Sequence, residues 1–283
     1  MKKKLFLILD CETATIPPPK NLQLTEKQRK TIAILKPLIY NIAWKIIDRK
    51  GVVQKQENFI VNEIFYNPTL FETAYYKAKR PLYLTALKEK RIKADLWENV
   101  SSILENDLKT AEFCGAFNSM FDFKKAINFT QSYIEHYYSQ YIEVWFEIQE
   151  KSIISIANGN KPKNDSFDKD NFIYKNRKYP LIDLWGLSCV YLLNNNKYRN
   201  FCYKNKLTTQ SGKFFSTTAE STYKFISQNA EFVESHTALE DVEIEIEIFK
   251  KIMQKTSIKK MEKGIIYFPF RILGKYEAEE ESG

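Results

Sequence analysis

Leu5 to Leu9 is an unbroken apolar run, the pattern of a short strand buried on both faces of a sheet, and it stops at Asp10. Residues 16–37 follow as an insertion or loop, because Pro17-Pro18-Pro19 bars regular structure and only Thr25 to Leu35 is patterned for a short helix. Two apolar-rich stretches, Leu38 to Ile47 and Val52 to Val61, are joined by Asp48-Arg49-Lys50-Gly51, a tight connection that predicts a hairpin. Helical periodicity comes next, over 69–90 and 95–109. Ala111 to Phe117 then predicts a second buried strand, with a helix beginning at Ser119.

Residues 130–178 open with an aromatic, helical stretch (Tyr133, Tyr137, Tyr141, Trp145) and close with the polar run Asn158 to Lys178. An inserted helix and a mobile loop are expected there. Leu181 to Leu193 reads as a strand end running into a helix, and Ala219 to Ser227 as helical. The Glu–Ile alternation from Glu243 to Ile248 would fit a strand, but Leu239, Val242, Ile246, Phe249 and Met253 form one helical stripe. Thr237 followed by Glu240 is a capping-box signature and decides for a helix over 238–254. The tail Glu-Ala-Glu-Glu-Glu-Ser-Gly is expected to be disordered.

With 283 residues, 44% of them apolar, the chain can bury one large core. The organisation expected is one domain over 1–256 with insertions near 16–37 and 130–178, then a C-terminal extension, 257–283. Only 8 Gly and 9 Pro argue against a disordered or turn-rich repeat protein. The net charge of +8 favours an anionic partner, although a composition rich in Lys, Asn and Ile also follows from an AT-rich genome. Cys11, Cys114, Cys189 and Cys202 lie far apart and form no CxxC pair, which suggests neither a zinc knuckle nor a disulfide framework and suits a reducing cytoplasm. The N-terminal apolar run is too short for a signal peptide, and no segment nears the ~18 apolar residues of a membrane span.

Asp10 and Glu12, two apart at a strand end, point to the same side, and such a carboxylate pair calls for a hard divalent cation. The bland explanation is a strand that simply ends in polar residues. Asp122 opens the helix after the second buried strand, where pairing with Ser119 as a cap would explain it equally well. His236 lies just outside the helix that Thr237 starts and Asp241 within its first turns, so a histidine able to act as a base near neutral pH borders a carboxylate. The other histidine, His136, sits in the aromatic stretch and reads as structural.

In this order the pieces resemble the DEDD family of 3′→5′ exonucleases, in its histidine branch. An apolar strand ending D-x-E-T is matched by Asp10, Glu12 and Thr13. N-x-x-x-D is matched by Asn118 and Asp122, with Phe121 and Phe123 flanking the acid, and H-x-A-x-x-D by His236, Ala238 and Asp241. Asp183 matches a frequent non-catalytic acid, and Thr237 stands where the tyrosine branch has its tyrosine. The Pro-rich segment after the first motif and the long stretch between Asp122 and Asp183 depart from the pattern. The resemblance implies an α/β, ribonuclease-H-like mixed sheet flanked by helices, with an inserted helical and loop segment. It further implies two divalent cations, Mg²⁺ or Mn²⁺, roughly 4 Å apart on Asp10, Glu12, Asp122 and Asp241, with His236 as general base and nucleoside 5′-monophosphates as products. Thr13, Asn118 and Phe121 would touch a nucleic acid with a 3′ end, single-stranded by expectation, and a DNA polymerase is a conceivable partner.

Residues 197–215 hold five basic side chains, Lys204 and Lys206 among them, interleaved with aromatics such as Tyr198 and Tyr203 and no acid. That is a possible strand-guiding surface, or equally an amphipathic helix with buried aromatics. An alternative to the enzyme is an exonuclease-like module that only binds nucleic-acid ends or a polymerase. Such a module would be expected to lack a carboxylate, and all five motif positions are filled.

Overall fold

The computed structural model describes residues 4–18, 22–139, 142–157 and 168–276. The first apolar run becomes a buried strand, but it runs past Asp10: β1 spans Leu5–Thr15. Next, α1 (Glu26–Leu35) starts from the expected place, with a capping box in which the Thr25 hydroxyl accepts the Gln28 N–H and the Gln28 side chain accepts the Thr25 N–H. β2 (Pro37–Asp48) pairs antiparallel with β1 from Leu5↔Asp48 to Thr15↔Pro37, which is why β1 does not end where its apolar run does. The hairpin to β3 (Val53–Val61) forms as expected, with Asp48 Oδ1 accepting the N–H groups of Lys50 and Val52.

The helical pattern over 69–90 is broken. After α2 (Asn62–Phe65), Pro68 and Pro81 each occupy a first helical turn, so the chain makes α3 (Pro68–Phe71) and α4 (Arg80–Lys88) instead of one helix. A short, unexpected edge strand, β4 (Lys93–Asp95), precedes α5 (Trp97–Leu108) and β5 (Phe113–Ala116). A π-helical turn over Met120–Ile127 runs into α6 (Asn128–Tyr137).

Residues 130–178 differ most from expectation. Tyr133 of α6 is fully buried, and the Thr130 hydroxyl accepts the Ile39 N–H at 2.9 Å, so α6 belongs to the core and not to an insertion. The inserted helix is α7 (Ile142–Ala157). Tyr141 and residues 158–167 lie outside the described residues, and the end of the polar run forms β6 (Asn171–Tyr174) and β7 (Arg177–Asp183) rather than a loop. Their turn sets Lys175 and Asn176 at φ of 45° and 63°, the left-handed pair of a two-residue hairpin loop.

The chain continues through α8 (Leu184–Ser188), α9 (Asn196–Asn205), α10 (Ala219–Ser227) and α11 (Ala238–Lys255). Among the described residues, seven strands form one sheet in the order β4-β3-β2-β1-β5-β7-β6. The pairs β1·β2, β2·β3 and β6·β7 are antiparallel, whereas β3·β4, β1·β5 and β5·β7 are parallel. This mixed α/β sheet flanked by helices is consistent with the ribonuclease-H-like fold expected. Leu7 and Leu9 face one core with Trp97 and Tyr133, while Phe6 and Ile8 face another with Val242 and Phe249 of α11. The extension is no appendage: Ile258, Met261, Ile265 and Leu273 are buried, and the Gly264 N–H reaches Leu181 O at 2.9 Å. Residues 277–283 lie outside the described residues, and no helix among those described is long and apolar enough to cross a membrane.

Candidate active site

The even-numbered residues of β1 face α11, so Asp10 and Glu12 continue the row begun by Phe6 and Ile8. β5 pairs with β1 only beside Phe6, Leu7 and Ile8 and leaves the sheet after Ala116. The two carboxylates therefore stand where the neighbouring strand has turned away. They lie within β1 and not at its end.

α11 is held above them by its N-terminus. Asn41 of β2, paired with Glu12 across the sheet, accepts the Ala238 N–H through Oδ1 at 3.1 Å. Thr237 makes no side-chain cap to the backbone, and its hydroxyl donates to Glu240 Oε2 at 2.7 Å instead. The helix thus forms as its apolar stripe requires, while its start is tied to the sheet by Asn41. As a result Glu12, His236 and Asp241 each bring a ligand atom within 4.8 Å of the others.

Asp122 arrives on the segment that follows β5. Ser119 does not cap the following helix: its hydroxyl donates to Ile182 O at 2.7 Å and accepts the Ala116 N–H at 3.0 Å. The capping explanation for Asp122 is therefore not realised. Its side chain is buried in a π-helical turn, a feature frequent at functional sites, and the Cys11 N–H of β1 bears on its carboxylate.

Burial pushes the proton affinities of Asp10, Glu12 and Asp122 well above the usual carboxylate range, and neighbouring acids push further. Asp10 feels Asp122 and then Glu234, whereas Glu12 feels Asp10 and then Asp241. Asp241 is pushed up to about 9 by burial first and by Asp10 next. Carboxylates gathered this way are stable as anions only beside a strong positive charge. The donor set of hard oxygens and one imidazole fits Mg²⁺ or Mn²⁺, and Asp241 Oδ1 and Glu245 Oε2 are buried without any hydrogen-bond partner, as ligand atoms awaiting a cation would be.

His236 adopts a left-handed backbone with φ of 53°. Its ring stacks on Tyr76, with centroids 4.4 Å and planes 12° apart, and its Nδ1 lies 3.5 Å from Glu234 Oε2. Burial, then the charge of Lys79, lowers its pKa. Lys79 lies over the Tyr76 ring at 4.9 Å and donates to the carbonyl of Ser235, so the segment before α4 braces the histidine loop. Glu220, Glu234 and His236 form a second possible ligand group that shares the histidine. Glu234 is pushed up to about 7, first by burial.

Tyr76, Lys79, Glu234 and Glu245 also belong to the site, and none of them stands in a motif. Glu245 carried a usable signal, since it follows Asp241 by one helical turn on the same face. Tyr76 and Lys79 carried none, because only the tertiary fold brings them to His236.

The remaining expected residues divide. Thr13 is half-buried next to Glu12, and exposed Asn118 accepts the N–H groups of half-buried Phe121 and of Asp122 through its carbonyl in the turn into Asp122. Tyr198 is not a substrate contact: it is fully buried, its hydroxyl donates to Ser216 O at 2.6 Å, and its ring meets Phe225 at 5.0 Å. Lys204 and Lys206 are exposed at the end of α9. Asp183 is buried, accepts the Ile266 N–H at 3.4 Å and ties the C-terminal segment to β7. His136 pairs its Nδ1 with Ser132 O at 2.7 Å in α6, a structural role. Comparison with known proteins finds no matching family model, no matching curated protein and no matching solved structure.

Proposed function

We propose that the chain is a metal-dependent 3′→5′ exonuclease of the DEDD type, histidine branch, acting on single-stranded nucleic acid in the cytoplasm. The observation that supports this most is the convergence of Glu12, His236 and Asp241 within 4.8 Å, inside one charge cluster with Asp10 and Asp122. When bound, two divalent cations, Mg²⁺ or Mn²⁺, supply electrostatic stabilisation of the attacking and leaving oxygens. Asp10, Glu12, Asp122 and Asp241 would hold them.

Burial, then the charge of Lys79, favours the neutral imidazole of His236, the form able to take the proton of the attacking water. Glu234 and Tyr76 fix the orientation of its ring. The water oxygen bonds to the terminal phosphorus, the P–O3′ bond breaks, and a proton returns to the leaving 3′ oxygen. Release of a nucleoside 5′-monophosphate completes the turnover. Thr13, Asn118 and Phe121, next in sequence to the site acids or on the turn into Asp122, would be the contacts for the last nucleotides. Four free, buried cysteines are in keeping with a reducing compartment.

Asp10→Asn and Asp241→Asn provide the test. Each is expected to abolish shortening of a labelled single strand in Mg²⁺, and full activity in both variants would overturn the reading. Binding of the strand by the wild type without any shortening would favour the binding-module alternative.

A further inference from the structure

Glu245 is the acid that the motif reading leaves without a task. It stands one turn beyond Asp241 on α11 and is 2% exposed. A glutamate so buried is rare unless paired or bound to a cation. Its two oxygens have different surroundings: Oε1 accepts the Phe117 N–H at 2.9 Å, whereas Oε2 is buried with no partner. Phe117 is the first residue after β5, on the turn that leads to Asp122. Glu245 thereby bridges α11, which carries Asp241, to the segment that carries Asp122.

A purely structural acceptor for the Phe117 N–H would need no charge, and a glutamine could fill the place at lower cost in desolvation. Its position one turn after Asp241 and its bond to the Phe117 N–H set the carboxylate between the segments that carry Asp241 and Asp122, and burial first, then the charges of Asp10 and Asp122, raises its proton affinity. An anion added to that cluster opposes folding without a cation and strengthens the grip on one when it is present. We propose that Glu245 is a fifth carboxylate of the cation centre, with Oε1 fixing the turn at Phe117 and the unpartnered Oε2 serving as a ligand. This rests on the reading of the site as a cation centre.

The test is the binding of Mn²⁺ to the full chain, followed by calorimetry and by the electron paramagnetic resonance signal of free Mn²⁺. Glu245→Gln retains the shape and the acceptor for Phe117, so in EDTA it is expected to melt within a few degrees of wild type. Its Mn²⁺ affinity at one site is expected to fall by roughly 10- to 100-fold, the scale on which loss of a group supporting a metal is felt. Glu245→Leu, read in the same way, carries the test if the glutamine variant does not fold. Wild-type binding with an unchanged isotherm in these variants would overturn the role of Glu245 alone. No Mn²⁺ binding by the wild type at millimolar concentration would overturn both this role and the cation centre beneath it.

Discussion

The imidazole of His236 lies flat on the ring of Tyr76, with centroids 4.4 Å and planes 12° apart. This contact joins a loop in a left-handed conformation to a segment more than half the chain away, and it gives the imidazole a fixed orientation. Tyr76→Phe preserves the stack and is expected to leave kcat nearly unchanged. Tyr76→Ala removes it, and misplacing a base by about 1 Å lowers the rate on the order of 10²-fold. Single-turnover rates for both variants check this, and equal rates would assign Tyr76 to packing alone.

For His236 itself, Ala is expected to lower kcat by about 10²- to 10⁴-fold while Mn²⁺ binding survives. Because burial lowers its pKa, the acidic limb of the wild-type pH–rate profile should lie below the ordinary histidine value of about 6.5. A limb well above that value would contradict the assignment.

Asp241 gives the sign of the pH dependence of stability. Its folded pKa of about 9 exceeds the roughly 3.9 of an unfolded chain, so the stability it contributes is present below pH ~4 and is lost as pH rises towards ~9. In EDTA the melting temperature is therefore expected to fall between pH 5 and pH 8, less steeply in Asp241→Asn. Saturating Mn²⁺ should flatten the slope, because the cation supplies the missing counter-charge. Thermal melts at those two pH values, with and without the ion, check it.

The elements with one dominant pattern were legible in the sequence: the apolar strand through Leu9, the hairpin across Asp48–Gly51, and the stripe of α11. What escaped depended on partners distant in sequence. β1 outlasts its apolar run because β2 pairs with all of it, and β6–β7 hides in a polar run whose turn, Lys175-Asn176, lacks the usual glycine. The same division holds at the site. Asp10, Glu12, Asp122, His236 and Asp241 stand in motifs, whereas Tyr76 and Lys79 reach His236 and Ser235 only through tertiary contacts.

Tyr198 separates a core residue from a strand guide. Fully buried, it is expected to cost about 3–5 kcal/mol of stability when replaced by Ala, with KM unchanged. Lys204 and Lys206 remain exposed, and replacing both by Ala is expected to raise KM and flatten its salt dependence if the strand passes there. Melting temperature and KM measured on the same variants distinguish the two effects.

The most direct measurement is digestion of a 5′-labelled single strand, as DNA and as RNA, in Mg²⁺, in Mn²⁺ and in EDTA. The expected result is a ladder of products shortened one nucleotide at a time from the 3′ end, with release of nucleoside 5′-monophosphates, and complete loss of both in EDTA. Intact strands with either metal, internal cuts, or undiminished hydrolysis in a rigorously chelated buffer would contradict a two-metal exonuclease.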